Sequence, residues 1–195
     1  MKRLTSVALA VLLLAGIAQA QGNDASKSPD GHYSVSIWQI SAGDEDGSGA
    51  QALVLSSTTN HVQRRLLVSK ADGDYSRNLT GLHNPLFSLD GGFVYFSTSD
   101  VSPNSTYVHQ FDLKLSNIRP VCPGSALRVM RTGPYRGYLL VQTHRYYDRP
   151  EGGSYNPVFL VHPSGKKIMM VPGSDNDDGE LAIEPWLAKM HWRAW

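Results

Sequence analysis

The stretch Pro85 to Asp100, PLFSLDGGFVYFSTSD, constrains the fold of this chain more than any other segment. It reads as a short strand, a tight turn and a longer strand. Phe87 and Ser88 close the first strand, and Asp90, Gly91 and Gly92 supply the turn. Asp suits that place because it bonds its own backbone, and Gly because it accepts positive φ. Phe93 to Thr98 are aromatic and β-branched, side chains that fit a pleated, half-buried surface.

Short strand-like runs broken by Gly, Pro, Asn and Asp fill most of the chain. His32 to Ile40 alternates, with Tyr33, Val35 and Ile37 on one side and Trp38 and Ile40 opening the other. Ser41 to Ala50 is an acidic, glycine-rich loop, and Ala52 to Ser56 and Arg65 to Ser69 read as two more strands. Asp72-Gly73, within Ala71 to Tyr75, carries a hairpin signal. Pro85 to Ser88, Phe93 to Thr98, Tyr107 to Leu113 and Ile118 to Val121 make a unit of four strands. A third unit holds Ala126 to Met130, Tyr138 to Thr143, Val158 to His162 and Lys167 to Val171, with Pro163-Ser164-Gly165 as its last turn. Leu181 to Trp195 has better helix formers, and Trp186, Leu187, Met190 and Ala194 recur at helical spacing. Pro185 suits a first helical turn.

The Pro85 stretch resembles the repeat of TolB-type β-propellers, P-x-[WF]-S-P-D-G-x-x-[IL]-x-F-x-S. Pro85, Phe87, Ser88, Asp90, Gly91 and Phe96 fall on that pattern, Val94 and Thr98 are close substitutes, and Leu89 stands in place of Pro. A weaker echo, SPDGHYSVSI, spans Ser28 to Ile37. The resemblance implies antiparallel blades and a protein-binding role of the TolB kind, although fold does not fix function. Closed propellers have about 4 to 8 blades, whereas residues 28–173 hold three blade-length units. The expected fold is therefore all-β: a partial or small propeller-like array of antiparallel blades with a short C-terminal helix. An open propeller, one completed by another chain, and a twisted sandwich or open barrel stay open as versions of it.

Residues 1–20 read as a secretory signal. Lys2 and Arg3 form a positive start, Val7 to Ile17 an apolar run, and Ala18-Gln19-Ala20 a small-x-small cleavage site. The run is short of the ~20 residues a spanning helix needs. Residues 21–27 are expected to be a disordered lead-in, 28–173 the β-domain, and 174–195 an acidic linker and helix. Lys2 and Arg3 are two of 18 basic residues, so 16 remain against 17 acidic ones once the signal is removed. That balance offers no basic surface for nucleic acid. Cys122 is the only cysteine, which excludes a disulfide-stapled scaffold and leaves stability to a packed core.

Motifs for chemistry are sparse. The sequence has no G-x-S-x-G elbow, no paired-His zinc helix and no phosphate- or dinucleotide-binding glycine motif, so no cofactor is expected. Asp44 to Ser48 and Asp175 to Glu180 resemble fragments of calcium loops but miss the EF-hand spacing and read as solvated turns. His32, His61, His83, His109, His144, His162 and His191 are scattered, and the Asn78 and Asn104 sequons read as turns. One cluster is more suggestive. Tyr135, Tyr138, Tyr146, Tyr147 and Tyr155 interleave with Arg136, Arg145 and Arg149, and Tyr and Arg are favoured at binding hot spots. Tyr135, Arg136, Arg145, Tyr146, Tyr147, Arg149 and Tyr155 are therefore the expected partner-binding residues.

The expected function is that of an exported, non-enzymatic binding protein of the bacterial envelope. Its partner would be a protein or an envelope component, without nucleic acid or stable membrane insertion, and with self-association left open. Two rivals stand beside it: a small exported hydrolase or metal-dependent enzyme built on scattered His and Asp, and an inhibitor or immunity protein that caps a toxic enzyme.

Overall fold

The computed structural model describes residues 25–41, 49–99, 102, 105–148, 150 and 152–195. The signal-like segment, Asp44 to Ser48 and Arg149 lie outside the described residues. Strands dominate, arranged as four antiparallel sheets with one short helix near the C-terminus.

The first blade is β1 (Ala25–Lys27), β2 (Tyr33–Gln39), β3 (Gln51–Ser57) and β4 (Gln63–Val68), paired in chain order. The second is β5 (His83–Phe87), β6 (Phe93–Thr98), β7 (Tyr107–Asp112) and β8 (Asn117–Pro123), again in chain order. The third is β9 (Ser125–Val129) and β10 (Leu139–Gln142), then, after a ribbon of β11 (Arg145–Tyr146) and β12 (Ser154–Tyr155), β13 (Val158–Val161) and β14 (Lys167–Met170). The first strands of the three blades, β1, β5 and β9, lie next to one another. The blades thus fan out from a shared inner edge, as in a propeller.

The first two blades begin with one turn used twice. Ser28 Oγ donates to Asp30 Oδ1 at 2.5 Å and accepts from the Tyr33 N–H at 2.9 Å, while the Gly31 N–H donates to Ser28 O at 2.9 Å. Ser88, Asp90, Phe93 and Gly91 repeat those bonds at 2.6, 2.9 and 3.0 Å. Gly31 and Gly91 have φ of 75° and 70°, the left-handed region that a side chain would strain. The weaker sequence echo at Ser28 is therefore a structural repeat.

Three expectations are corrected. Ala25–Lys27, assigned to a disordered lead-in, form the inner strand β1, with Ser26 opposite Val35. Asp72-Gly73 is not a hairpin turn. The edge strand β4 ends at Val68 and the next sheet begins at His83, so residues 69–82 must cross from an outer strand to an inner one. Asp72 Oδ1 caps the Asp74 N–H at 2.9 Å, and Asp74 Oδ1 caps the Ser76 N–H at 2.9 Å, the local bonding that makes Asp a loop residue. The helix, α1 (Ile183–Met190), is also shorter than its apolar spacing suggests, because His191 turns left-handed at φ 54°.

Period-two alternation sorts the core between blades. Val94 and Phe96 of β6 and Phe111 of β7, with Phe87 of β5, face the first blade, where they join Val35, Leu53, Leu55 and Leu67. Tyr95 and Val108 point the other way, into a second cluster with Ala126, Leu139, Val141 and Val161 of the third blade. Leu140, Val158 and Leu160 face outward from the third blade and meet Ile183, Trp186 and Leu187 of α1. Each Val, Leu, Ile or Phe among them stabilises by roughly 1.5–3 kcal/mol when fully buried. Polar ties pin the blades as well: Ser97 Oγ accepts from the Ala126 N–H at 2.9 Å, and Arg119 donates to Pro163 O at 2.9 Å.

The helix therefore caps the far face of the third blade. Beyond it the chain turns back and pairs with β9. The Val129 N–H donates to Trp195 O at 2.8 Å, the Trp195 N–H to Val129 O at 3.1 Å, and the Arg131 N–H to Arg193 O at 2.7 Å. An inner strand edge that would otherwise invite foreign pairing is covered. Among the described residues, no helix is long and apolar enough to cross a membrane.

Candidate functional site

The Tyr–Arg cluster of the sequence is two groups in space. Tyr135 lies in the β9–β10 connection against the capping helix region. Its ring is 5.6 Å from Tyr138 and 5.7 Å, edge-on, from Trp192. That packing is structural, and Arg136 is exposed on the same turn. Arg145, Tyr146, Tyr147 and Tyr155 come together on the β11–β12 ribbon, with Arg145 opposite Tyr155 and Tyr146 opposite Ser154.

The ribbon forms because Gly152 and Gly153 both take positive φ, 67° and 93°, and let the chain reverse. The Tyr147 N–H closes it onto Gly153 O at 3.0 Å. Its foot is anchored. The rings of Tyr147 and Tyr155 stack at 4.6 Å, and the Tyr147 hydroxyl donates to Asp177 Oδ1 at 3.3 Å. Asn156 Nδ2 donates to Asp177 O at 3.0 Å, while Asn156 Oδ1 meets His144 Nδ1 at 3.0 Å. The acidic segment that resembled a calcium-loop fragment thus braces the ribbon.

What remains outward is Arg145 and Tyr146. Tyr146 is 62% exposed, and its ring rests edge-on against His144 at 5.0 Å. Below them a cleft of about 670 Å³ opens between the second and third blades. Its wall includes Thr106, Ser125, Thr143, Asn156, Arg145 and Lys167. The cleft exists because the blades are tied near their inner strands, where His83 Nε2 and Asn84 Nδ2 both reach Ser125 Oγ at 3.1 Å, and diverge outward. Lys167 escaped the sequence reading as a site residue. It comes from β14, far along the chain from Arg145, so no local spacing could have signalled it, whereas Thr143 and His144 directly precede Arg145 in sequence.

The strongly shifted groups lie in the core. Burial pushes the His109 imidazole down to about 4. It stacks on Phe96 at 5.3 Å and meets Thr98 Oγ1 at 3.1 Å. Burial likewise pushes the Cys122 thiol up to about 11 and the Tyr95 phenol up to about 12. Cys122 sits among inter-blade apolar residues. Among the described residues, no group of three or more His, Cys, Asp or Glu side chains is placed to hold a metal ion.

The architecture is that of β-propeller proteins, and solved structures bear this out. The chain is similar to the acylaminoacyl peptidase of Pyrococcus horikoshii, at 12% identity and a TM-score of 0.53, over 77% of this chain and 24% of that one. It is similar to the β-propeller domain of the trilobed protease from Pyrococcus furiosus, which has an open velcro topology, at 14% identity and a TM-score of 0.50, over 77% of this chain and 42% of that one. It also matches TolB from Acinetobacter baumannii, at 16% identity and a TM-score of 0.48, over 80% of this chain and 33% of that one. The chain thus spans less than half the length of these three proteins. No protein-family model matches it, and no curated protein does.

Proposed function

We propose that this chain is an exported, non-enzymatic binding scaffold of the bacterial envelope, built from TolB-type repeats, that holds a protein partner at the β11–β12 ribbon. The observation that carries the reading is the braced ribbon itself. Tyr147, Tyr155 and Asn156 fix its foot to the Asp177 segment, while Tyr146 stands 62% exposed beside Arg145. A large aromatic held rigid in solvent loses little side-chain freedom on binding, and Tyr and Arg anchor protein interfaces. The paired Ser-x-Asp-Gly turns support the TolB-type reading of the repeats.

The test is capture from envelope extract with the purified chain as bait. The wild type should retain a discrete protein, and the variant combining Arg145→Gln with Tyr146→Ala should retain about tenfold less at unchanged melting temperature. Equal capture by both baits, or none by either, overturns the reading. Hydrolysis of peptide or ester substrates by the purified chain, lost on His109→Gln or His144→Gln substitution, would favour an enzyme instead.

A further inference from the structure

The inter-blade cleft brings two cationic side chains together. Arg145 Cζ lies 5.8 Å and Lys167 Nζ 4.3 Å from the centroid of the same ring, Phe159. Among the described residues the ion pairs lie elsewhere, between Arg77 and Asp72 and Asp74 and between Arg128 and Glu184. No carboxylate pairs with Arg145 or Lys167 there. Two cations gathered on one ring repel each other. Burial first, and then Arg145, push the Lys167 ammonium below its ordinary range. That repulsion turns into attraction when an anion comes between the two charges.

The rest of the wall is polar, with Ser125, Gln142 and Asn156 on it. Thr143 is 8% exposed, and its Oγ1 is buried without a hydrogen-bond partner. Enclosed as it is, that hydroxyl shapes the wall without opening onto the cleft. Gly124 shapes the same wall: it has φ 119°, and a Cβ there would collide with Gln142 O and the Val141 side chain. The backbone of the inter-blade link can therefore lie close against the end of β10.

We propose that the cleft between the second and third blades receives a carboxylate of the protein partner, held by Arg145 and Lys167 with Thr143 at the wall. This rests on the reading of the ribbon as the partner surface, and it adds that the partner presents an acidic side chain or a free C-terminus there. A carboxylate fits better than a polyanion. The planar Arg fork matches it in a bidentate pair, and Tyr146 offers an apolar neighbour for a peptide side chain. Two cations in a cleft lack the long basic stripe that nucleic acid requires.

Titration calorimetry of the full chain at low ionic strength tests this with four probes. They are an amidated peptide of alternating Glu and Gly with a central Tyr, its Gln counterpart with an amidated end, that Gln peptide with a free C-terminus, and inorganic phosphate. At least one carboxylate-bearing peptide should bind about tenfold or more tighter than the amidated Gln peptide, and added salt should weaken it. Preference for the Glu peptide assigns a side-chain carboxylate, and preference for the free C-terminus assigns the terminal one. Arg145→Gln, and separately Lys167→Met, which keeps the apolar stem on Phe159, should each weaken that binding. The proposal is overturned if the amidated Gln peptide binds equally well, if phosphate binds and the peptides do not, or if neither substitution changes the affinity. Should the bait still capture its partner through the ribbon while every carboxylate peptide fails, the carboxylate site falls and the ribbon reading stands.

Discussion

Trp186→Ala tests whether the C-terminal helix is a cap or an ornament. Trp186 is 6% exposed and joins Leu140, Val158, Leu160 and Val171 of the third blade. Its ring also meets Trp192 edge-on at 5.4 Å, and Trp192 packs so close to Gly133 that a Cβ there would stand 2.7 Å from the indole. Truncating a buried Trp to Ala removes its transfer energy and leaves a cavity, about 3–5 kcal/mol together. The sheet beneath is fixed by its ladder and cannot collapse into the space, so about 4 kcal/mol is expected. For a chain of this length that is a fall in melting temperature of roughly 8–16 °C. Urea denaturation followed by tryptophan fluorescence and circular dichroism measures it, with an unchanged slope excluding a change in the denatured state. Leu181→Ala is the control: Leu181 is 73% exposed, and its loss should stay within about 0.5 kcal/mol. A change below about 1 kcal/mol for Trp186→Ala would refute the cap.

Three further predictions follow from the core. Phe96→Ala should cost about 3–5 kcal/mol in urea denaturation, because Phe96 is fully buried between the first two blades; a cost under about 1 kcal/mol would mean that the blades do not pack on this face. His109 is held neutral with its imidazole pushed down to about 4, so the unfolded chain binds its proton first. Stability should be intact above the ordinary imidazole range and fall by about 3 kcal/mol as pH drops from about 6.5 to about 4; the pH slope should flatten in His109→Gln, and an unchanged slope would exclude this residue as its source. Cys122, buried and pushed up to about 11, should react with a thiol reagent only as fast as the chain unfolds, and rapid labelling under native conditions would contradict its burial.

Much of the fold was legible in the sequence because blades are local. The second blade follows from Pro85 to Val121 with strand ends within a few residues, since its turn chemistry and its alternation agree. The rest depended on distant partners. β1 has three residues, ASK, and no apolar signal of its own; it is a strand because β2 offers an edge. Asp72-Gly73 carries a hairpin dipeptide, yet the path between blades overrides it. Ala194 keeps helical spacing with Met190, but the free edge of β9 draws the last residues into a bridge at Met130. The site divided in the same way. Arg145, Tyr146, Tyr147 and Tyr155 were visible as neighbours in sequence, and a ribbon keeps them neighbours in space. Tyr135 packs apart from them beside Trp192, and Lys167 reaches the cleft only through sheet pairing.

The most direct test of the binding account is a photo-crosslinking side chain placed at position 146 in producing cells. Tyr146 is 62% exposed on the ribbon, and Tyr33, 44% exposed on the first blade, serves as the matched control. The account predicts one discrete adduct of higher mass from position 146, absent from position 33 and reduced when Arg145 is changed to Gln. No adduct from position 146, or the same adduct from both positions, would contradict it.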